Sequence, residues 1–316
     1  MPVYQDYATP EILDWLLEGD PAVRWQTQRD LLDAQPAVYE AERAKVATQG
    51  WGARYLAAQD ADGRWGGGLY GPKWISTHYT LLTLQRIGLA PGHPQALLAV
   101  KLLFDKGARA DQGLNFVKGE PEHAETCISG MGLCMAAYFG LEDERVPRLA
   151  EHLLGQQMQD GGWNCESYRG ATHSSFHTTA SVLEGLLAFH LGNPKSGLPV
   201  ASAMAAGREF LLQHRLYKSH RTGEIVKDSM TRGPFPPFWQ YDFMRALDYF
   251  RSASADRDER AQDAIDLLLS KHDADGYWPQ YRGPSGKYWF QMETAGKPSR
   301  WNTLRALRIL RWWYGD

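Results

Sequence analysis

Two kinds of helical stretch alternate along the chain. One is amphipathic, as over residues 145–157, 200–213 and 258–271, with an apolar stripe and a polar face that belongs against solvent. The other is small and apolar almost all round, as in Thr80-Leu81-Leu82-Thr83-Leu84, and has to be buried on most sides. Together they predict twelve helices, over residues 10–18, 21–34, 38–58, 75–88, 94–107, 125–139, 145–157, 174–190, 200–213, 237–252, 258–271 and 299–313.

The buried helices open on a shared signature: an aromatic residue, His or Cys, then any residue, then usually Thr or Ser, with Leu four residues later. Its six copies are Trp25-Gln26-Thr27, His78-Tyr79-Thr80, Cys127-Ile128-Ser129, His177-Thr178-Thr179, Tyr241-Asp242-Phe243 and Trp301-Asn302-Thr303. The fifth is degenerate, with Phe243 in place of the hydroxyl residue. Each copy with its preceding helix is a hairpin that buries its apolar face only against its neighbours. Six hairpins alternating outer and inner close naturally into an all-α (α/α)6 toroid, so residues 1–316 read as one domain. Two connections are long, at about 214–236 and 278–298. The first is basic. The second carries Tyr281, Tyr288, Trp289 and Phe290, an aromatic set suited to closing over an apolar ligand.

A second repeat marks the outer-to-inner turns: Gln59-x-x-Asp62-Gly63-x-Trp65, Gln157-x-x-Asp160-Gly161-x-Trp163 and His272-x-x-Asp275-Gly276-x-Trp278. Gly supplies the positive φ that a helix exit needs, and the Trp is placed to stack back over the helix end. Asp60-x-Asp62-Gly63 has the start of a calcium loop, but Gly71 stands where such a loop needs its bidentate Glu. These turns resemble the Gln-Trp motifs of squalene and oxidosqualene cyclases. With the inner-helix repeat they make the whole chain similar to the α-toroid superfamily of terpenoid cyclases and protein prenyltransferase β subunits.

Composition then narrows the function classes. A net charge of -3 offers no basic field for nucleic acid and no polybasic membrane patch. No apolar run approaches the ~18 residues of a membrane span, and residues 1–20 show no leader pattern. Three cysteines, Cys127, Cys134 and Cys165, make no complete disulfide set and point to a reducing, cytoplasmic setting. Nothing identifies a partner subunit.

In a toroid the inner helices start around one mouth of a central cavity. The signature's first residues, Trp25, His78, Cys127, His177, Tyr241 and Trp301, therefore form a ring there, with Arg24, Arg300 and Glu125 beside it. Polar groups converging over an aromatic interior are the default site. His78 has the unperturbed pKa range of a proton carrier, and Arg24 and Arg300 would orient an anionic group. Trp25, Tyr241 and Trp301, with Trp74 and Trp239, offer π faces to a substrate or cation. The resemblance adds a metal. Prenyltransferase β subunits bind zinc with Asp-x-Cys at one inner-helix start and His at the next, and Glu125-x-Cys127 and His177 match those positions. It implies zinc on Glu125, Cys127 and His177, with Cys165 and His173 as further candidates. Two departures accompany it. Glu replaces the family's Asp, and Gly119 and Glu122 stand where that family carries the basic residues that hold a diphosphate. The Asp-x-Asp-Asp acid motif of class II cyclases is absent as well.

Taken singly, these residues read as structural: Cys127 as a small core residue, His177 as a satisfied histidine, Glu125 as a helix cap. Taken together they point to a zinc-dependent enzyme acting on an apolar, isoprenoid-like or aromatic small molecule in the central cavity. Two alternatives stand beside it. One is a metal-free cyclase or isomerase using a mouth acid such as Asp242, and the other is a non-catalytic toroid that binds a ligand or protein.

Overall fold

The structure is a computed structural model that describes residues 4–117 and 123–315. Gly119 and Glu122 lie outside the described residues. The expected all-α architecture is present: among the described residues there are thirteen α-helices and no strand, only isolated bridges at turns. The helices are α1 (Pro10–Leu17), α2 (Pro21–Asp30), α3 (Pro36–Ala44), α4 (Gly50–Ala57), α5 (Thr77–Arg86), α6 (Pro94–Gly107) and α7 (Thr126–Phe139). They continue with α8 (Arg145–Gly155), α9 (Phe176–Gly192), α10 (Val200–Gln213), α11 (Phe243–Ser252), α12 (Gln262–Leu269) and α13 (Arg300–Tyr314). None is long and apolar enough to cross a membrane.

Two boundaries differ from the sequence pattern. The helix expected over 38–58 breaks into α3, a 3-10 turn at Lys45–Ala47 and α4, because Gly50 takes a φ of 61° and Trp51 N donates to the Asp20 carboxylate at 2.7 Å. The helix expected from 237 starts only at Phe243. Pro236 and Pro237 cannot continue a helix, Phe238 has a φ of 51°, and Asp242 supplies the cap by accepting from Arg245 N at 2.8 Å.

The inner helices α5, α7, α9, α11 and α13 touch in chain order, α13 returns to α2, and side-chain hydrogen bonds join α2 to the end of α5. Trp25 Nε1 and Gln26 Nε2 donate to Ile87 O and Arg86 O at the end of α5, at 3.2 and 3.4 Å. At the closing seam Arg308 donates to Gln26 Oε1 at 2.7 Å and Arg311 to Asp30 O at 2.8 Å. The tightest contact is α7 on α9. A Cβ on Gly130 would stand 2.8 Å from the Ser181 backbone, and one on Gly185 would stand 2.4 Å from Gly130 O. Two glycines thus let these backbones meet without an intervening side chain.

A hydroxyl fixes where four of the six inner helices start. Trp65 N donates to Thr77 Oγ1 at 3.0 Å, Leu114 N to Ser129 Oγ at 2.8 Å, Trp163 N to Thr179 Oγ1 at 3.0 Å and Trp278 N to Thr303 Oγ1 at 3.1 Å. The three turn tryptophans each donate Nε1 to a carbonyl ten residues back, at Tyr55, Leu153 and Leu268. Leu114 marks a fourth turn of the same kind, in which Gln112 takes the left-handed conformation (φ 71°) that Gly63, Gly161 and Gly276 take elsewhere. These bonds also correct the register of the second copy. Thr77, not Thr80, is the equivalent of Ser129, Thr179 and Thr303, so Ile75 occupies the mouth position and His78 falls nearly a turn deeper.

Thr77→Val, Thr179→Val and Thr303→Val each leave a buried tryptophan N–H without its acceptor. We expect each to cost about 1–3 kcal/mol, read as a lower denaturant midpoint at unchanged slope.

Candidate functional site

Glu125 stands at the N-cap of α7, with Cys127 in its first turn. Cys165 lies in the turn before α9, two residues after the buried Trp163, where its N–H reaches Thr178 Oγ1 at 3.3 Å. Ligand atoms of Glu125, Cys127 and Cys165 lie within 4.8 Å of one another, and among the described residues no other such group of metal-ligating side chains occurs. The Cys127 thiol is 3.5 Å from Glu125 Oε1, while Glu125 Oε2 is buried with no hydrogen-bond partner.

The two thiols interact strongly. Hydrogen bonding from Cys127 lowers the Cys165 thiol to about 7, and the same contact, with burial, pushes Cys127 well up. One proton is thus held between two sulfurs, with Cys165 the first to ionise. Burial raises the Glu125 carboxyl, and the ammonium of Lys73 works against that rise. Two soft sulfur donors and one carboxylate with an unfilled oxygen are a donor set suited to zinc.

His177 is not in this group. Its Nδ1 accepts from Tyr241 N at 2.8 Å, which leaves the ring proton on Nε2, and burial lowers its pKa to about 4. The ring stands edge-on to Trp239, with centroids 5.1 Å apart. Trp239, Trp74 and Tyr70 surround Lys73, whose Nζ lies 5.5 Å from the Tyr70 and Trp74 rings and 5.6 Å from Trp239. The π faces expected to receive a substrate cation therefore hold a cation of the chain itself. Trp74 is fixed besides, stacked on Phe238 at 4.5 Å with Nε1 donating to Ser285 O at 3.0 Å.

The remaining expected site residues are engaged in the framework. His78 is fully buried beside Tyr70, Tyr79 and Phe116, both ring nitrogens lack partners, and burial lowers it to about 3. It is neutral and sealed off, unlike a proton carrier. The Tyr241 hydroxyl donates to Leu216 O, and Asp242 is a buried cap outside either cavity wall. Burial raises the Asp242 carboxyl against the pull of Arg305. Trp25 packs under Arg29 and Arg43. Arg24 is bound to Glu42 and Gly19 O, and Arg300 to Trp15 O.

Two cavities flank the plug formed by Phe235 and its neighbours, with Phe235 stacked on Trp301 at 4.2 Å. One, of about 830 Å³, lies under the second long connection and is walled by Tyr55, Phe235, Tyr281, Tyr288, Phe290 and Met292. The other, of about 400 Å³, runs inside the ring toward the C-terminal ends of the inner helices. Its wall is not the apolar one expected. It combines Leu187, Leu191 and Trp301 with Arg245, Arg305 and Arg308.

After chelator treatment, Cys165 should be alkylated by iodoacetamide with an inflection near pH 7, since its thiolate predominates only above that value. Cys127→Ala removes the hydrogen bond that lowers it. In that variant the inflection should move up toward the ordinary thiol value of about 8.5, as read by peptide mass spectrometry against pH.

No protein-family model and no curated protein matches the chain. Among solved structures it is similar to a protein from Actinoplanes, at 15% identity over 93% of this chain and 90% of that one, with a TM-score of 0.47. It is also similar to the type II terpene cyclase MstE from Scytonema, at 13% identity over 85% of this chain and 96% of that one, with a TM-score of 0.34. A variant of that cyclase in complex with geranylgeranyl dihydroxybenzoate matches at 14% identity over 85% and 94% of the two chains, with a TM-score of 0.34.

Proposed function

We propose that the chain is a zinc-dependent enzyme acting on an apolar, isoprenoid-like or aromatic small molecule, with the metal held by Cys127, Cys165 and Glu125. The observation that carries this reading is the convergence of two thiols and a carboxylate within 4.8 Å, one carboxylate oxygen being buried without a partner. Zinc bound there supplies a Lewis acid and favours ionisation of a thiol, a water or a substrate group. Cys165, already the more acidic sulfur, gives up its proton first, and Cys127 follows when a cation replaces the shared proton. Lys73 holds positive charge beside Glu125 and offsets part of the negative charge that three anionic donors bring. The 830 Å³ cavity, whose wall carries Tyr55, Phe235, Tyr281, Tyr288 and Phe290 and none of the three metal-holding residues, supports an apolar substrate body.

Metal analysis of the purified protein tests the proposal. We expect close to one equivalent of zinc, falling below about a tenth in Cys127→Ala/Cys165→Ala. Titration from pH 8 to pH 5 should release it as protons compete for the sulfurs, followed with a chromogenic chelator. Zinc content that is absent from the parent, or unchanged in the double variant, refutes the assignment.

A further inference from the structure

The cavity inside the ring carries a charge imbalance that the fold does not itself resolve. Six guanidiniums, of Arg29, Arg86, Arg245, Arg251, Arg305 and Arg308, face only two carboxylates on the wall, Glu184 and Asp248. Counting Asp30 and Asp242 behind the wall still leaves six cations against four carboxylates.

Each acid is shared. Glu184 accepts from Arg245 through both oxygens at 2.8 Å and from Arg86 at 2.9 Å. Asp248 takes Arg308 at 2.8 Å and Arg251 at 3.0 Å, with Arg305 at 4.0 Å. Burial disfavours the cations of Arg305 and Arg308, the acids notwithstanding.

Part of this cluster has a structural role, since cations near helix C-termini offset the negative end of the helix dipole. That role leaves three donors unexplained. Arg86 Nε, Arg308 Nε and Trp301 Nε1 are buried and have no hydrogen-bond partner among the described residues, and all three side chains line the cavity. Arg308 uses both terminal nitrogens, on Gln26 Oε1 at 2.7 Å and Asp248 Oδ2 at 2.8 Å, which leaves Nε over. Donors left over on a cavity wall are free to take a ligand's acceptor, and a guanidinium is built to hold an oxyanion. Beside them lie Leu187, Ala188, Leu191 and Phe235. The volume of about 400 Å³ falls within the range of small-molecule sites.

We infer that this cavity binds an amphiphilic acid, an apolar body carrying one carboxylate or phosphate, with the oxyanion set among Arg86, Arg308 and Trp301. The site is separate from the thiol cluster. Binding involves no covalent step and no metal.

Calorimetry on the full chain after chelator treatment tests this with decanoate as the probe, and decyl phosphate and decanol beside it. Working without metal keeps the outcome independent of the zinc proposal. Decanoate or decyl phosphate should bind saturably with one-to-one stoichiometry, while decanol should bind at least about tenfold more weakly, because it lacks the charge that strengthens these hydrogen bonds. Salt should weaken the anions and not the alcohol. Trp301→Phe keeps the packing and removes one donor, and should weaken decanoate about three- to tenfold. Arg308→Lys keeps the charge and removes the fork, with a loss of about tenfold. Decanol binding as tightly as decanoate, no saturable anion binding up to millimolar concentration, or wild-type affinity in Trp301→Phe overturns the inference. If a phosphate head binds and a carboxylate does not, the anion site stands and its natural ligand is a phosphate ester.

Discussion

A single hydrogen bond, from the backbone N–H of a turn residue to the hydroxyl at the head of the next helix, sets where four of the six inner helices begin. The donor is buried, so leaving it unpaired would be costly, and the helix can start only where its Thr or Ser meets that N–H. Trp65 with Thr77, Leu114 with Ser129, Trp163 with Thr179 and Trp278 with Thr303 repeat the bond at about 3 Å. Across all six inner helices, α11 being fixed instead by its Asp242 cap, residues four and seven positions past each mouth residue turn toward the axis. Arg29, Arg245 and Arg305 come from the first of these layers. Cys134, Glu184, Asp248 and Arg308 come from the second.

The helices and their alternation were legible because a period of 3.6 survives any tertiary context, and the turn tryptophans because Asp-Gly-x-Trp is compact. The register of α5 was not. Ile75-Ser76-Thr77 and His78-Tyr79-Thr80 both place a hydroxyl four residues before a Leu, and only the bond from Trp65 chooses between them. The same ambiguity moved His78 from the interior to the mouth. Gln112 concealed a turn, because an ordinary residue stood where glycine marks the others. Cys165 entered only as a further zinc candidate behind His177, since it lies in a connection and the ring reading covered only helix starts. The arginine cavity leaves no local motif; reading the repeat one and two turns beyond the mouth would have exposed it.

The two sides of the Phe235 plug make opposite electrostatic demands. On the mouth side, thiols and a carboxylate concentrate negative charge around a shared proton, with Lys73 held among aromatic faces nearby. On the inner side, guanidiniums outnumber carboxylates. Stacking of Phe235 on Trp301 and of Phe238 on Trp74 places apolar surface between them. The stacked rings keep the acids of one side from pairing directly with the bases of the other, while the low dielectric between them leaves their fields felt across it, as that of Arg245 is at His177.

Closure of the inner helices through α13 and α2 has a consequence for how the molecule holds together. An open stack of repeats has two end faces, each of which needs a polar cap to remain soluble. Here Arg308 and Arg311 join the last repeat to Gln26 and Asp30 of the first, so each terminal unit serves as the lid of the other. The first and last repeats thereby depend on each other directly. Stability cannot be assembled outward from any one repeat, and loss of the seam exposes two apolar faces at once.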